Sequence, residues 1–296
     1  MAIALARRLL AEFVGTAILV FFGAGSIVAA LQLNDGVLGY AGLGIVALSF
    51  ALAVAIAVYA FGTTSGGHIN PAVTIALAVT GRFSWAEVAP YIVAQLAGAW
   101  GGAALIVGVV GDRATDLGGV GLTTLGPGVS DLQGVIAEGV GTFLLMITIM
   151  ALAVDRRAPV GWAGFVIGLA VACEIMVIGP FTNGSVNPAR TFGPYVMNDL
   201  FGGPTPWNEY WIYIVGPVMG AVVAAVVYEV LVQPRAVPAP VPLSGEPAVA
   251  SEAGPAPGEV PAEARMSEET GSRIVAPRSP PPPAPRREPR EKGERP

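Results

Sequence analysis

Ser65-Gly66-Gly67-His68-Ile69-Asn70-Pro71-Ala72-Val73-Thr74 and Thr182-Asn183-Gly184-Ser185-Val186-Asn187-Pro188-Ala189-Arg190-Thr191 are two versions of one pattern, and their reading decides the fold. Asparagine is a favoured helix N-cap and proline a favoured first helical residue, so Asn70-Pro71 and Asn187-Pro188 each read as a helix start. Neither helix is long. The apolar run 72–79 and the segment 189–197, which ends near Asn198, fall well short of the roughly 20 residues that cross a hydrocarbon core. Both therefore predict half-helices that enter a membrane and turn back. Non-helical backbone at membrane depth is tolerated only where protein buries it or where it lines a water-filled cavity. The stretches Gly66-Gly67-His68 and Asn183-Gly184-Ser185 are thus expected to face a pore or protein, with their carbonyls as candidate acceptors along a file of water.

Working outward from the two patterns, six apolar stretches of spanning length appear, at about 9–31, 40–61, 88–110, 132–154, 161–179 and 210–232. The chain is 53% hydrophobic and only 12% charged, with a mean hydropathy of +0.64, values typical of an integral membrane protein. The first stretch is too long for a cleaved signal, carries Glu12 and lacks a small-residue cleavage site, so it counts as a span. Ala11-Glu12-Phe13-Val14-Gly15-Thr16 opens span 1 and Ala137-Glu138-Gly139-Val140-Gly141-Thr142 opens span 4. Each half thus holds three spans and one Asn-Pro-Ala segment. Because three is odd, the second half enters the membrane from the opposite side, which makes an inverted repeat. The two Asn-Pro-Ala segments then face each other from opposite leaflets.

Arginine placement gives an orientation. Arg7, Arg8, Arg82, Arg156, Arg157 and Arg235 flank the spans on one side, whereas the loops 32–39 and 111–131 hold only Arg113. Positive charge accumulates in cytoplasmic loops, so both termini are expected to be cytoplasmic in a multi-pass protein of the cell membrane. Residues 1–232 form one domain, with repeats of about 9–110 and 132–232. Residues 233–296 are rich in Pro, Ala and Glu and read as a disordered cytoplasmic tail, in which the run Pro280 to Pro283 is a candidate polyproline ligand. A single cysteine, Cys173, and a single histidine leave no disulfide and no Cys/His metal cluster to build. No cofactor, metal or nucleic acid is expected, and no nucleophile–base pair near the spans points to an enzyme.

Two Asn-Pro-Ala boxes in inverted three-span halves, with Glu12 and Glu138 near the starts of spans 1 and 4 and Arg190 continuing the second box, resemble the aquaporin family over about residues 9–232. The resemblance implies an all-α membrane protein, a right-handed bundle of six transmembrane helices plus two re-entrant half-helices, assembled in the bilayer as a homotetramer with one pore per subunit. It implies that Asn70, Pro71, Ala72, Asn187, Pro188 and Ala189 form the centre of the pore, and that the two asparagine amides turn a water molecule and interrupt a proton wire. Gly66, Gly67, His68, Asn183 and Ser185 would offer carbonyls. Glu12 and Glu138 would hold the re-entrant loops by accepting backbone hydrogen bonds, the alternative being a proton relay. Gln95 reads as an interhelical hydrogen-bonding group.

Counting from the boxes, the family's selectivity filter falls on Phe50, Ile175, Gly184 and Arg190. Water-selective members resemble Phe, His, a small residue and Arg. Here Ile175 replaces the histidine and Gly184 is expected to widen the opposite wall, so the opening should be larger and less polar, as in archaeal aquaporins. Glycerol facilitators carry two aromatics and an Asp after the second-box arginine, whereas this chain has Phe50 alone and Thr191. The expected permeants are water and small uncharged solutes, with a glycerol-type facilitator as the alternative. An ion-coupled transporter lacks charges paired at midplane, and a scaffolding role rests on the tail alone. If span 5 is helical, Cys173 lies roughly 200° around the axis from Ile175 and points away from the pore. Glu174, at about 100°, should sit beside the pore with a loop or water as its partner.

Overall fold

Hydropathy marks the six long helices, and a computed structural model, which describes residues 3–232, contains them: span 1 is Leu5–Leu33, span 2 Tyr40–Ser65, span 3 Trp85–Val110, span 4 Asp131–Val154, span 5 Ala163–Thr182 and span 6 Trp207–Leu231. Among the described residues there is no strand. The tail at 233–296 lies outside the described residues. Span 1 begins earlier than its apolar run because its first turns are stabilised by charge rather than hydropathy. Arg8 donates from Nε to the Tyr91 hydroxyl at 2.9 Å and from both terminal nitrogens to Glu87 on span 3. A hydrophobic window cannot register that anchor.

The two short helices are Pro71–Val79 and Pro188–Leu200. Each starts as its sequence dictates. Asn70 and Asn187 are extended residues whose side-chain oxygens accept from the amides of Ala72 (2.9 Å) and Ala189 (3.0 Å), and Asn187 also takes Arg190 N. Proline follows at the first helical position, where its missing N–H costs nothing.

Packing follows the repeat. Span 1 lies on span 3 and span 4 on span 6, while spans 2 and 5 pair across the two halves. The first half-helix lies against span 6 and the second against span 3, so each repeat lends its half-helix to the other. Small residues let the backbones approach. A Cβ at Gly98 would collide with the carbonyl of Phe13, and one at Gly220 with the carbonyl of Gly139, at equivalent places in the two halves. Between spans 4 and 5 the turn is pinned by Asp155, which accepts from the Arg157 amide and guanidinium (2.9 Å each) and from the Tyr228 hydroxyl of span 6 at 2.8 Å. The Arg157 bonds, with a further contribution from Tyr228, hold the Asp155 carboxyl well below the usual carboxylate range.

Candidate functional site

The two re-entrant loops meet at the ends of their half-helices and are tied to each other reciprocally. Asn70 Nδ2 donates to the carbonyl of Val186 at 2.8 Å, and Asn187 Nδ2 donates to the carbonyl of Ile69 at 2.8 Å. Both side-chain oxygens are already engaged as helix caps, which fixes the amide orientation. An amide nitrogen carries two donors. One holds the opposite loop, and the other is left for whatever occupies the lumen.

Ile69 and Val186 adopt left-handed backbone, φ 42° and 46°, a conformation costly for β-branched residues. Two buried carboxylates hold them there. Glu12 accepts from Ile69 N (2.6 Å), His68 N (3.0 Å), Ser65 Oγ (2.7 Å) and Gln95 Nε2 (2.8 Å). Glu138 accepts from Ser185 N (2.9 Å) and Val186 N (2.7 Å). Further bonds repeat in both halves. His68 Nδ1 meets Thr74 Oγ1 at 3.2 Å and Ser185 Oγ meets Thr191 Oγ1 at 2.6 Å, while Tyr91 and Tyr213 each donate to the residue closing the preceding span, Ser65 and Thr182. Sequence reading missed Ile69, Val186, Thr74 and Thr191 as functional. Their signal was available, because both copies of the pattern carry a β-branched residue just before Asn and Thr four positions after it.

Around the asparagines runs a cavity of about 310 Å³ that reaches from Arg82 and Val154 at one end to Phe50 and Arg190 at the other. Asn70, Asn187 and the loop residues Gly66, Gly67, His68, Gly184 and Ser185 line it, between apolar walls that include Leu19, Val54 and Val171. Pro71, Ala72, Pro188 and Ala189 are buried behind the lining. All four expected filter positions, Phe50, Ile175, Gly184 and Arg190, meet the lumen. The guanidinium carbon of Arg190 lies 4.9 Å from the centre of the Phe50 ring, and Nη1 donates to the carbonyl of Gly121 at 2.8 Å. Its Nε and Nη2 have no protein partner although the side chain is 1% exposed. Buried donors left unbonded are expensive. These two are available to a polar molecule at that end of the cavity. Phe50 is seated by span 1, whose π-helical turn Leu19–Ala24 brings Gly23 directly under the ring.

Asn183 is not among the residues that line this cavity. It borders a separate pocket with Tyr40 and Thr124, and its side-chain oxygen accepts from Thr124 N at 3.0 Å, at the left-handed C-cap of span 5 with φ 62°. A Cβ at Gly184 would lie against span 5, 3.0 Å from Glu174 Oε2 and 3.2 Å from Ile175 Cα. Glu174 is 2% exposed, and neither carboxylate oxygen has a partner in the loop or elsewhere among the described protein groups. Ile175 meets the lumen, whereas Glu174 does not, and Cys173 is exposed on the outside of the bundle.

The model of the family described as major intrinsic protein matches residues 1–228. The chain is 48% identical over 232 residues to aquaporin AqpM of Methanothermobacter marburgensis, covering 74% of this chain and 94% of that one. It is 41% identical to aquaporin TIP4-4 of Zea mays, covering 72% and 82%. Among solved structures, the aquaglyceroporin from Plasmodium falciparum superposes with a TM-score of 0.70 at 26% identity, covering 77% of this chain and 97% of that one.

Proposed function

The chain belongs to the major intrinsic protein family, and we propose that it is a passive channel for water whose selectivity extends to small neutral solutes and excludes protons and ions. As a multi-pass membrane protein it works as a conduit and not as an enzyme. The observation that carries the reading is the pairing of an apolar lumen with a few fixed donors: the free N–H of Asn70 and of Asn187 at the centre and the unpartnered Nε and Nη2 of Arg190 at one end. Apolar walls bind water weakly and let it pass. The two amides take the oxygen of the central water, so its hydrogens point outward and it cannot relay a proton through the chain. The half-helices place their positive N-terminal ends at the same point, which repels cations, and Arg190 adds a fixed charge. By the arginine distribution Arg190 is on the outer side, with both termini in the cytoplasm of a cell-membrane homotetramer.

A glycerol-type facilitator is the second reading. Ile175 favours it, because an apolar residue stands where strict water channels have a polar one, and the aquaglyceroporin likeness agrees. Stopped-flow light scattering on proteoliposomes separates the two. Osmotic shrinkage in sucrose well above that of empty vesicles, with slower re-swelling in glycerol and no added proton leak by an entrapped pH dye, is the expected result. Vesicles that shrink no faster than empty ones refute the channel, and glycerol re-swelling as fast as water flow gives the second reading.

A further inference from the structure

One offset carries span 2 and its loop onto span 5 and its loop, taking Asn70 onto Asn187 and Ala57 onto Glu174. The environments agree with that register. A Cβ at Gly15 would meet Ile69 (2.7 Å), Phe61 (3.4 Å) and Ala57 (3.8 Å), and a Cβ at Gly141 would meet Ile178 (2.7 Å), Val186 (2.9 Å) and Glu174 Oε2 (3.3 Å). In the first repeat, therefore, a methyl group fills the space between the re-entrant loop and its supporting spans. In the second repeat a whole carboxyl group fills it.

Glu174 is buried, and its oxygens make no hydrogen bond, so it does not hold the loop as Glu12 and Glu138 do. It touches the loop by shape. Oε2 lies 3.0 Å from the position a Gly184 Cβ would take, and Ile175, the neighbour of Glu174 on the same helix, lies 3.2 Å from it by both Cα and Cγ1. Gly184 and Ile175 both line the lumen, and Glu174 stands immediately behind them.

We propose that Glu174 is a specificity-determining positioning residue, a wedge between spans 4 and 5 that presses the Gly184–Ser185 loop toward the lumen and so sets the width of the constriction. The proposal rests on the channel reading above. It agrees with glycine at position 184, where φ is 57° and a Cβ would crowd the Glu174 carboxyl at 3.0 Å. Width is set from behind the wall as well as by the residues that face the solute.

The test compares glycerol and water permeabilities of the full-length protein in proteoliposomes. Glu174→Ala removes the wedge, lets the loop relax outward, and should raise the glycerol-to-water ratio severalfold. Glu174→Gln keeps the shape and removes the charge, and its ratio should stay within about twofold of wild type. An unchanged ratio in Glu174→Ala, or a Glu174→Gln variant that behaves like Glu174→Ala, overturns the wedge. Should Glu174→Ala fail to assemble, the loop can be approached from the other side. Gly184→Ala should lower glycerol flux, and Glu174→Asp in the same chain should recover it by drawing the carboxyl back, whereas no recovery counts against the proposal. Wild-type vesicles no more permeable than empty ones sink the channel reading itself. A conducting wild type with an unmoved ratio sinks only the wedge.

Discussion

Glu138→Ala tests the support of the second loop, and its magnitude follows from the bonds it removes. The carboxylate is fully buried and accepts from Ser185 N and Val186 N, so the variant strands two buried amide donors. An unsatisfied buried donor costs about 1–3 kcal/mol. The pair costs about 2–6 kcal/mol, less the strain of about 1–3 kcal/mol that is relieved if Val186 leaves its left-handed backbone. A net loss of about 1–3 kcal/mol, at roughly 2–4 °C for each kcal/mol in a domain of this size, lowers the unfolding midpoint by roughly 2–12 °C. Glu12→Ala should cost more, because four donors depend on Glu12 instead of two. Heating the purified protein in detergent and following the surviving assembled fraction by size exclusion measures both. Equal midpoints for the two variants, or a Glu138→Ala midpoint within a degree of wild type, would refute the reasoning that these carboxylates act through loop amides. Water permeability of Glu138→Ala should fall with the midpoint, because a released Val186 carbonyl no longer receives Asn70.

Ile175→His puts a polar ring at the lumen and removes an apolar contact worth about 1 kcal/mol, so glycerol permeability should drop roughly fivefold while water flow persists; an unaltered glycerol rate means Ile175 does not limit passage. Arg190→Val removes the fixed charge beside Phe50, and a proton or cation leak absent from wild type should appear in vesicles loaded with a pH dye. A near-zero leak in that variant counts against the constriction. Mercurials should inhibit water flow weakly or not at all, because Cys173 faces away from the lumen, and inhibition abolished by Cys173→Ser would overturn that helix register. Gly23→Ala should cut permeability to water and glycerol together, since its methyl group has nowhere to go but into the Phe50 ring, and unchanged rates would mean that the ring does not narrow the lumen.

The spans and half-helices were legible because each rests on information local in the chain. Twenty apolar residues specify a span, and Asn-Pro followed by a short apolar run specifies a capped half-helix. The filter positions came from the family resemblance, whose spacing from the boxes falls on Phe50 and Ile175, and both meet the lumen. What sequence missed depends on direction. Gly184 reads as an opening if its absent side chain is imagined to face the pore, yet φ 57° turns that direction toward span 5. Asn183 looks like its neighbours in the loop, but as the left-handed cap of span 5 it belongs to another pocket. Glu174 was expected to find a partner because unpaired carboxylates are costly in a membrane. That rule speaks about energy and not about which groups the fold brings within reach.

Where the two halves agree and where they part separates scaffold from selectivity. The carboxylates, the left-handed β-branched residues, the reciprocal asparagines and the tyrosines below the loops occur twice, and all of them hold the midplane in place. On the channel function proposed above, a symmetric midplane suffices to orient one water and to repel cations equally from either side. It cannot by itself place a narrow point at one end. That requires the halves to differ, and the differences gather at that end: Arg190 stands where the first repeat has Val73, Glu174 where it has Ala57, and Ile175 where it has Val58. Val73 and Val58 line the lumen as apolar wall, while Arg190 brings two unbonded donors to it and Glu174 braces the loop behind it. The second carboxylate also keeps fewer bonds than the first, so the loop that carries Gly184 is held less by hydrogen bonds and more by packing. Substitutions behind that loop should therefore move solute selectivity before they move the fold.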